Sequence, residues 1–512
     1  MTDALTKTYD ELAYPNLCFP YTHPERLATQ GVLHGMTPPS PAHCRVLDLG
    51  CGSGANLMYM ASTLPGARLL GIDLSSRQIA DGQRAAAALG LTNLELKTLS
   101  IMDLDERFGE FDYIICHGVY SWVPDAVQDK ILAICKSRLA PRGVAYVGYN
   151  IYPGWHVGKM LREMIAFHDR PEKEFRERIA RARELLDFLV EATTACASDH
   201  ACVLKAHAEF LRSAPETYLF HEYLEFFNRA VFFHEFAANA QAKGLQFLCE
   251  AWRRVPFLEL PTDAPAPQVS LPAGLIEREQ YYDFIACQTF RRTLLCHDEV
   301  MIQHPPRHEV IERCLISGHG QPLDDSGMSG TPGAERFREI GGERVLTTSS
   351  SLLKAALHAL FDLRPRAVSL DELLKLLSCA GTPGVRARGE LAEAMLLCFS
   401  CGVVELHGQA PSCRADVSAR PVAGLMARVL AEQGQTVLPS LHHRDVAVDP
   451  LHRLILCHLD GTRDRADLLN LLEEQAARGE LVLAGDGAPV DDRQQLLDAG
   501  LRELARNGFL VG

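Results

Sequence analysis

The chain has no stretch of about 18 uninterrupted apolar residues anywhere in its 512 positions, so no helical membrane span is expected. Its first residues, Met1-Thr2-Asp3-Ala4-Leu5-Thr6-Lys7, lack the basic and then apolar layout of a secretory leader. Positive charge is also short. Lys and Arg number 51 against 65 Asp and Glu, a formal balance of −14. Broad non-specific nucleic-acid binding needs a basic face to neutralise phosphates and is not expected, although a local basic groove is still allowed. The same charge suits a basic, lysine-bearing partner. A disulfide framework is missing too: the sixteen cysteines are scattered rather than framing a small scaffold, which points to free thiols and a cytoplasmic location. What is present, 47% hydrophobic and 23% charged residues, is ordinary for a globular protein and too long for one core.

The most informative stretch is Val46-Leu47-Asp48-Leu49-Gly50-Cys51-Gly52-Ser53-Gly54. An apolar run carrying one carboxylate breaks into three glycines and then a helix starting near Asn56. That is the pattern of a buried parallel strand, a tight turn that lets a ligand approach the backbone, and a helix N-terminus aimed at it. The glycine spacing alone also satisfies a loose dinucleotide fingerprint. Asp48 separates the readings, because a carboxylate before the first glycine repels a pyrophosphate and suits a cation. The acid-x-Gly-x-Gly-x-Gly pattern resembles the first motif of class I methyltransferases that use S-adenosylmethionine (SAM).

The following segments extend that likeness. Arg68–Asp73 is a second apolar run ending in an acid, placed where ribose hydroxyls are bound. Leu94–Lys97 leads into Ser100-Ile101-Met102-Asp103, which resembles the methyltransferase contact to adenine. Phe111–Cys116 is followed by the loop His117–Pro124, and Gly143–Tyr149 by Tyr149–His156. Helical patterns at Ser75–Leu89 and Ala126–Leu139 lie between, so an α/β, doubly wound (Rossmann-like) parallel sheet is expected. The resemblance implies a SAM site of Asp48, Gly50, Cys51, Gly52, Asn56, Asp73, Leu74, Ile101, Met102, Asp103 and His117. Tyr120 and Tyr149 are the candidate acceptor contacts and catalytic residues. Trp122 and Trp155 are candidate walls of an acceptor channel, and Tyr21 with His23 a candidate lid.

Beyond this half, Lys159–Arg212 reads as helix, and 216–254 is dense in aromatics, as in a core or a subunit interface. Tyr9–Leu12, Tyr21–Pro24, the two loops, His221–Leu224, Gly244–Glu250, Gln280–Phe284 and Phe290–Cys296 together resemble bacterial methyltransferases with a methyltransferase regulatory domain. Characterised members include protein-lysine methyltransferases acting on outer-membrane proteins. The resemblance implies a SAM-binding domain at 1–157 and a helical regulatory and dimer-forming domain at 158–315. A middle domain at 316–415, with a linker over Ser317–Glu335 and a winged-helix-like module, would follow, and a C-terminal winged-helix-like domain at 416–512. Neither module carries an Arg/Lys stripe on a candidate recognition helix, so an interaction role is preferred to nucleic-acid binding. Cys398 and Cys401 lack a second C-x-x-C at ribbon spacing and read as packing residues, so no metal is expected. His442-His443 is left open between a surface pair and an acceptor contact.

Three functions compete: a methyltransferase acting on a protein side chain, most plausibly lysine; one acting on a peptide or metabolite; and a SAM-binding regulatory protein with little turnover.

Overall fold

The computed structural model describes residues 17–169, 174–225, 227–251, 272–323, 333–379, 387–478 and 490–511. The motif Tyr9–Leu12 and part of the expected linker lie outside them.

The central sheet is built from β1 (Arg45–Leu49), β2 (Arg68–Asp73), β3 (Leu94–Thr98), β4 (Phe111–Cys116), β5 (Leu139–Asn150), β6 (Leu245–Glu250) and β7 (Phe290–His297). Their spatial order is β3-β2-β1-β4-β5-β7-β6. β1 to β5 are parallel, and β7 runs antiparallel to both β5 and β6. β1 and β4 are apolar along almost their whole length because helices cover both faces of the sheet. The strand order reverses between β1 and β4, where Asp48 pairs with Ile115. A doubly wound sheet opens its ligand crevice at that point. The sheet also draws on chain well beyond residue 157, since β6 and β7 come from 245–297.

Helix α1 (Pro24–Leu33) precedes β1, and α2 (Ala55–Thr63) leaves the glycine turn. α3 (Ser76–Ala88) is N-capped by the Ser75 hydroxyl, which accepts from Gln78 N at 3.1 Å. α4 (Asp125–Arg138) links β4 to β5. The helical tract resolves into α5 (Trp155–His168), α6 (Phe175–Thr194) and α7 (Asp199–Ser213), which share one apolar core with Phe220 and Tyr223. α8 (Phe233–Ala242) and α9 (Leu275–Ala286) flank β6.

In the middle module a three-stranded sheet, Val368–Ser369, Leu315–Gly318 and Val404–His407, packs with helices 351–362 and 387–401. Here the expected linker is corrected: Leu315–Gly318 and Gly320–Pro322 are strands. Their small residues serve close packing rather than freedom, since a Cβ on Gly318 would lie 2.4 Å from the Leu360 carbonyl. The C-terminal domain contributes helices 425–432, 450–457, 465–477 and 490–506, with a hairpin of Val437–Pro439 and Asp445–Ala447. Its core is continuous with that of the catalytic half: Met426, Leu430, Leu459 and Phe509 join one apolar cluster with Leu57, Met58 and Met60 of α2.

Candidate functional site

The turn after β1 has Gly50, Gly52 and Gly54 at φ of 80°, 57° and 78°. This left-handed region is open to glycine at little cost. A Cβ on Gly50 would also stand 2.4 Å from Val119 Cγ2, so the turn closes only without a side chain. Gly50 and Cys51 donate their N–H groups to the Ile72 carbonyl at 2.9 and 3.0 Å, tying the turn to the end of β2. There Asp73 accepts from Gly52 N and from Ser75 N, both at 2.9 Å. Two fixed backbone donors orient the carboxylate at the end of β2, where an acid suits a diol.

Asp48 is buried at the end of β1. Burial, and secondarily the Asp73 charge, push its carboxyl up to about 7. Such a group calls for a cation. Leu74, Met102 and Asp103 are exposed and Ile101 is half-buried, on the loops after β2 and β3. They form a rim with apolar surface suited to a planar base.

Asn56 has a different job from the one expected. Its side chain is taken up by the N-terminal segment, Oδ1 accepting from Phe19 N at 2.9 Å and Nδ2 donating to Thr22 Oγ1 at 3.0 Å. It therefore anchors the strap that carries Tyr21 across the crevice. His117, directly after β4, has Nδ1 2.8 Å from the Tyr146 hydroxyl and Nε2 3.4 Å from the Tyr21 hydroxyl. Phe19, Tyr21, Tyr146 and Phe290 surround its ring, with centroids 4.1 to 5.8 Å away. Burial, helped by the Arg292 charge, holds the imidazole down at about 3, so it is neutral at physiological pH. Arg292 lies over the rings of Tyr21 and Phe290, at 4.7 and 5.3 Å from their centroids.

The two tyrosines expected to contact the acceptor are elsewhere. Tyr120 and Tyr149 are 1% and 0% exposed and pack on Phe236 behind the sheet. The Tyr149 hydroxyl bonds Thr293 Oγ1 at 2.9 Å. Neither side chain opens on the crevice. Successive strand residues alternate between faces, and β5 sends Val144 and Tyr146 to the α2 side but Ala145, Val147 and Tyr149 to the other. Tyr146 is therefore the β5 tyrosine at the site, and counting alternation from the buried pair would have found it. Trp122 and Trp155 are buried as well, with Trp155 Nε1 donating to Asn228 Oδ1 at 2.7 Å. Of the candidate lid, Tyr21 reaches the site. His23 points away and stacks on His443 at 3.6 Å.

Arg292 was also missed, because β7 arrives from a segment remote in sequence. Its neighbour Arg291 is fully buried and meets Glu250, Glu279 and Asp283, each at 2.9 Å. Cys398 is fully buried in the middle-module core, as expected of a packing residue.

These residues fit SAM or its demethylated product S-adenosylhomocysteine (AdoHcy). The glycine turn has no room for a side chain at Gly50, Asp73 suits a diol, and the buried Asp48 carboxyl suits a cationic amino group. The comparisons agree. Residues 46–143 match the family described as "Methyltransferase domain". The fold and the site together make the chain a SAM-dependent methyltransferase of the class I type. Residues 215–297 match the "predicted methyltransferase regulatory domain" and 419–509 the "PKMT, C-terminal winged helix domain". An uncharacterised protein of Rickettsia prowazekii is 30% identical over 495 residues, 95% of this chain and 89% of that protein. PKMT2 from Rickettsia typhi is 30% identical with a TM-score of 0.85, covering 98% of this chain and 100% of that one. Its complex with AdoHcy gives 29% and 0.84 over the same shares. The chain belongs to the family of these rickettsial PKMT proteins.

Proposed function

We propose that the chain methylates lysine side chains of a protein acceptor. The observation that carries this reading is the cluster of Tyr21, His117, Tyr146 and Arg292 at the end of β4, the strand paired with β1 and its Asp48, on a chain similar along its length to PKMT2. Bound SAM supplies an electrophilic methyl group on a sulfonium. The task left to the protein is to present an amine with its lone pair free and in line. A lysine is an ammonium at pH 7 and must first give up a proton, which passes to solvent water before the methyl group is transferred. The Arg292 guanidinium lowers the affinity of a neighbouring amine for that proton. The hydroxyl oxygens of Tyr21 and Tyr146, each held by one ring nitrogen of neutral His117, accept hydrogen bonds from its two N–H groups and aim the lone pair. The rings of Phe19 and Phe290 offer apolar surface to the lysine stem.

Asp48, Asp73 and the backbone of Gly50–Gly52 hold the cofactor in this reading, with Leu74, Ile101, Met102 and Asp103 at its base. Among the described residues no helix is long and apolar enough to cross a membrane. The cysteines described are all free thiols, which supports a reducing cytoplasm. The helical region leaves Phe167, Phe188 and Phe210 exposed on α5, α6 and α7, which supports a homodimer formed through it.

The test is incubation with radiolabelled SAM and a lysate lacking this protein, followed by mass spectrometry of labelled species. Methyl groups on lysine Nε are expected. Label confined to small molecules would overturn the protein-acceptor reading.

A further inference from the structure

One group of buried titratable side chains lies outside the site. Where α1, α2 and the C-terminal hairpin meet, His23, Glu25 and His443 bring potential metal-ligating atoms within 4.8 Å of one another. Their geometry does not gather around a cation. The two rings are stacked at 12°, so their lone pairs run side by side. All four ring nitrogens already have partners. His23 Nδ1 accepts from Glu25 N at 3.3 Å and Nε2 lies 2.9 Å from Thr63 Oγ1. His443 Nδ1 is 2.7 Å from the Tyr59 hydroxyl and Nε2 is 2.6 Å from Glu25 Oε2.

What those bonds join is informative. Asn56, Tyr59 and Thr63 follow one another along α2 at helical spacing, and so share a face. Asn56 grips Phe19 and Thr22, Tyr59 grips His443 and the Ser440 carbonyl, and Thr63 grips His23. The same helix begins at Gly54, in the cofactor turn. His443 has φ of 56°, a backbone state that non-glycine residues hold only when their surroundings over-determine it. Three contacts do so here: Tyr59, Glu25 and the His23 ring. The Arg26 guanidinium adds bonds to the His443 carbonyl and an ion pair to Glu405, to which Arg444 is also paired.

We propose that the C-terminal domain is a working part of the methyl-transfer site: its His443, locked between α2 and the strap Phe19–Glu25, positions both the glycine turn and Tyr21. His443 is thus a positioning residue that acts through Tyr59 and His23. The proposal rests on the cofactor placement given above and extends it to the C-terminal domain.

The experiment uses the full chain, AdoHcy as probe, and 3-fluorotyrosine placed at position 21. His443→Ala and Tyr59→Phe are compared with Leu472→Ala, a core truncation in helix 465–477 of the same domain that removes none of the junction's hydrogen bonds. Binding is read by calorimetry, folding by thermal melting, and strap order by the fluorine resonance. The expected result is an AdoHcy Kd raised about tenfold or more in His443→Ala, and by less in Tyr59→Phe. The Tyr21 resonance should be shifted or broadened in both before ligand is added. Leu472→Ala should lower Tm while leaving Kd and the resonance unchanged. Equal Kd losses in all three variants would reduce the effect to general destabilisation and overturn the proposal. So would an unchanged Kd and resonance in the two junction variants. A wild-type chain that does not bind AdoHcy would instead overturn the cofactor placement, and the proposal with it.

Discussion

Asp48 makes cofactor binding pH-dependent with a calculable shape. Its carboxyl is pushed from 3.8 up to about 7 by burial and by Asp73. Ionising it in the empty crevice therefore costs about 4 kcal/mol more than in water, at about 1.4 kcal/mol per unit. A ligand ammonium beside it reverses the balance and returns the group toward its ordinary range, so binding expels a proton. Affinity must then rise with pH and level off above 7. Half of the sites are protonated near pH 7 and about nine-tenths near pH 6. The AdoHcy Kd should fall about tenfold from pH 5 to 6, about fivefold from 6 to 7, and less than twofold from 7 to 8. Calorimetry in buffers of differing ionisation enthalpy should count about one proton released near pH 5.5 and almost none near pH 8.5. His117, held at about 3, stays neutral through this window and adds no slope. Asp48→Asn should weaken binding at pH 8 and flatten the profile. A wild-type Kd independent of pH, or an undiminished slope in Asp48→Asn, would refute the assignment of Asp48 to the cofactor's cation.

Three further outcomes follow from the geometry. Gly50→Ala should abolish measurable AdoHcy binding, because its Cβ meets Val119 at 2.4 Å in a left-handed turn; adding Val119→Ala should restore part of it, as calorimetry would show. Arg291→Met leaves Glu250, Glu279 and Asp283 facing one another without their cation, and should cost about 3–5 kcal/mol in urea unfolding. Glu279→Gln in the same background should recover some of that loss. His442 is held down from 6.5 to about 4, chiefly by burial, so its stabilising contribution is full above pH 6.5 and lost as pH falls toward 4. Wild type should therefore lose about 2 kcal/mol more than His442→Gln between pH 7.5 and 5, measured by urea unfolding at each pH.

Much of the cofactor half was legible because local rules govern it. β1 to β5 and the carboxylates at their ends follow from apolar runs, turn glycines and helix spacing within 150 residues, while the order of the strands in the sheet does not. The acceptor side was less legible, for two physical reasons. Loop aromatics look alike in sequence, and only strand alternation distinguishes Tyr146, facing His117, from Tyr149, sealed under Phe236. Arg292 reaches the site on β7, whose place beside β5 depends on antiparallel pairing across about 140 residues. Asn56 was found for its position at the start of α2, but its partners Phe19 and Thr22 are a tertiary fact. His442-His443 carried no local signal at all, and its role appears only once the C-terminal hairpin is docked on α2.

The apolar cluster that joins α2 to the C-terminal domain bears on how the chain is made. The Tyr59 hydroxyl and His443 are 384 residues apart in sequence. At about 5–20 residues per second, a ribosome needs on the order of tens of seconds to deliver the second partner after the first. During that interval Leu57, Met58 and Met60 have no Met426, Leu430 or Phe509 to cover them, and β5 waits for β7 as its neighbour. The nascent catalytic half thus displays an apolar flank and an open strand edge long before synthesis ends. A chain cut before Met426 would leave that flank of α2 uncovered, and exposed apolar surface of this kind invites association with other chains.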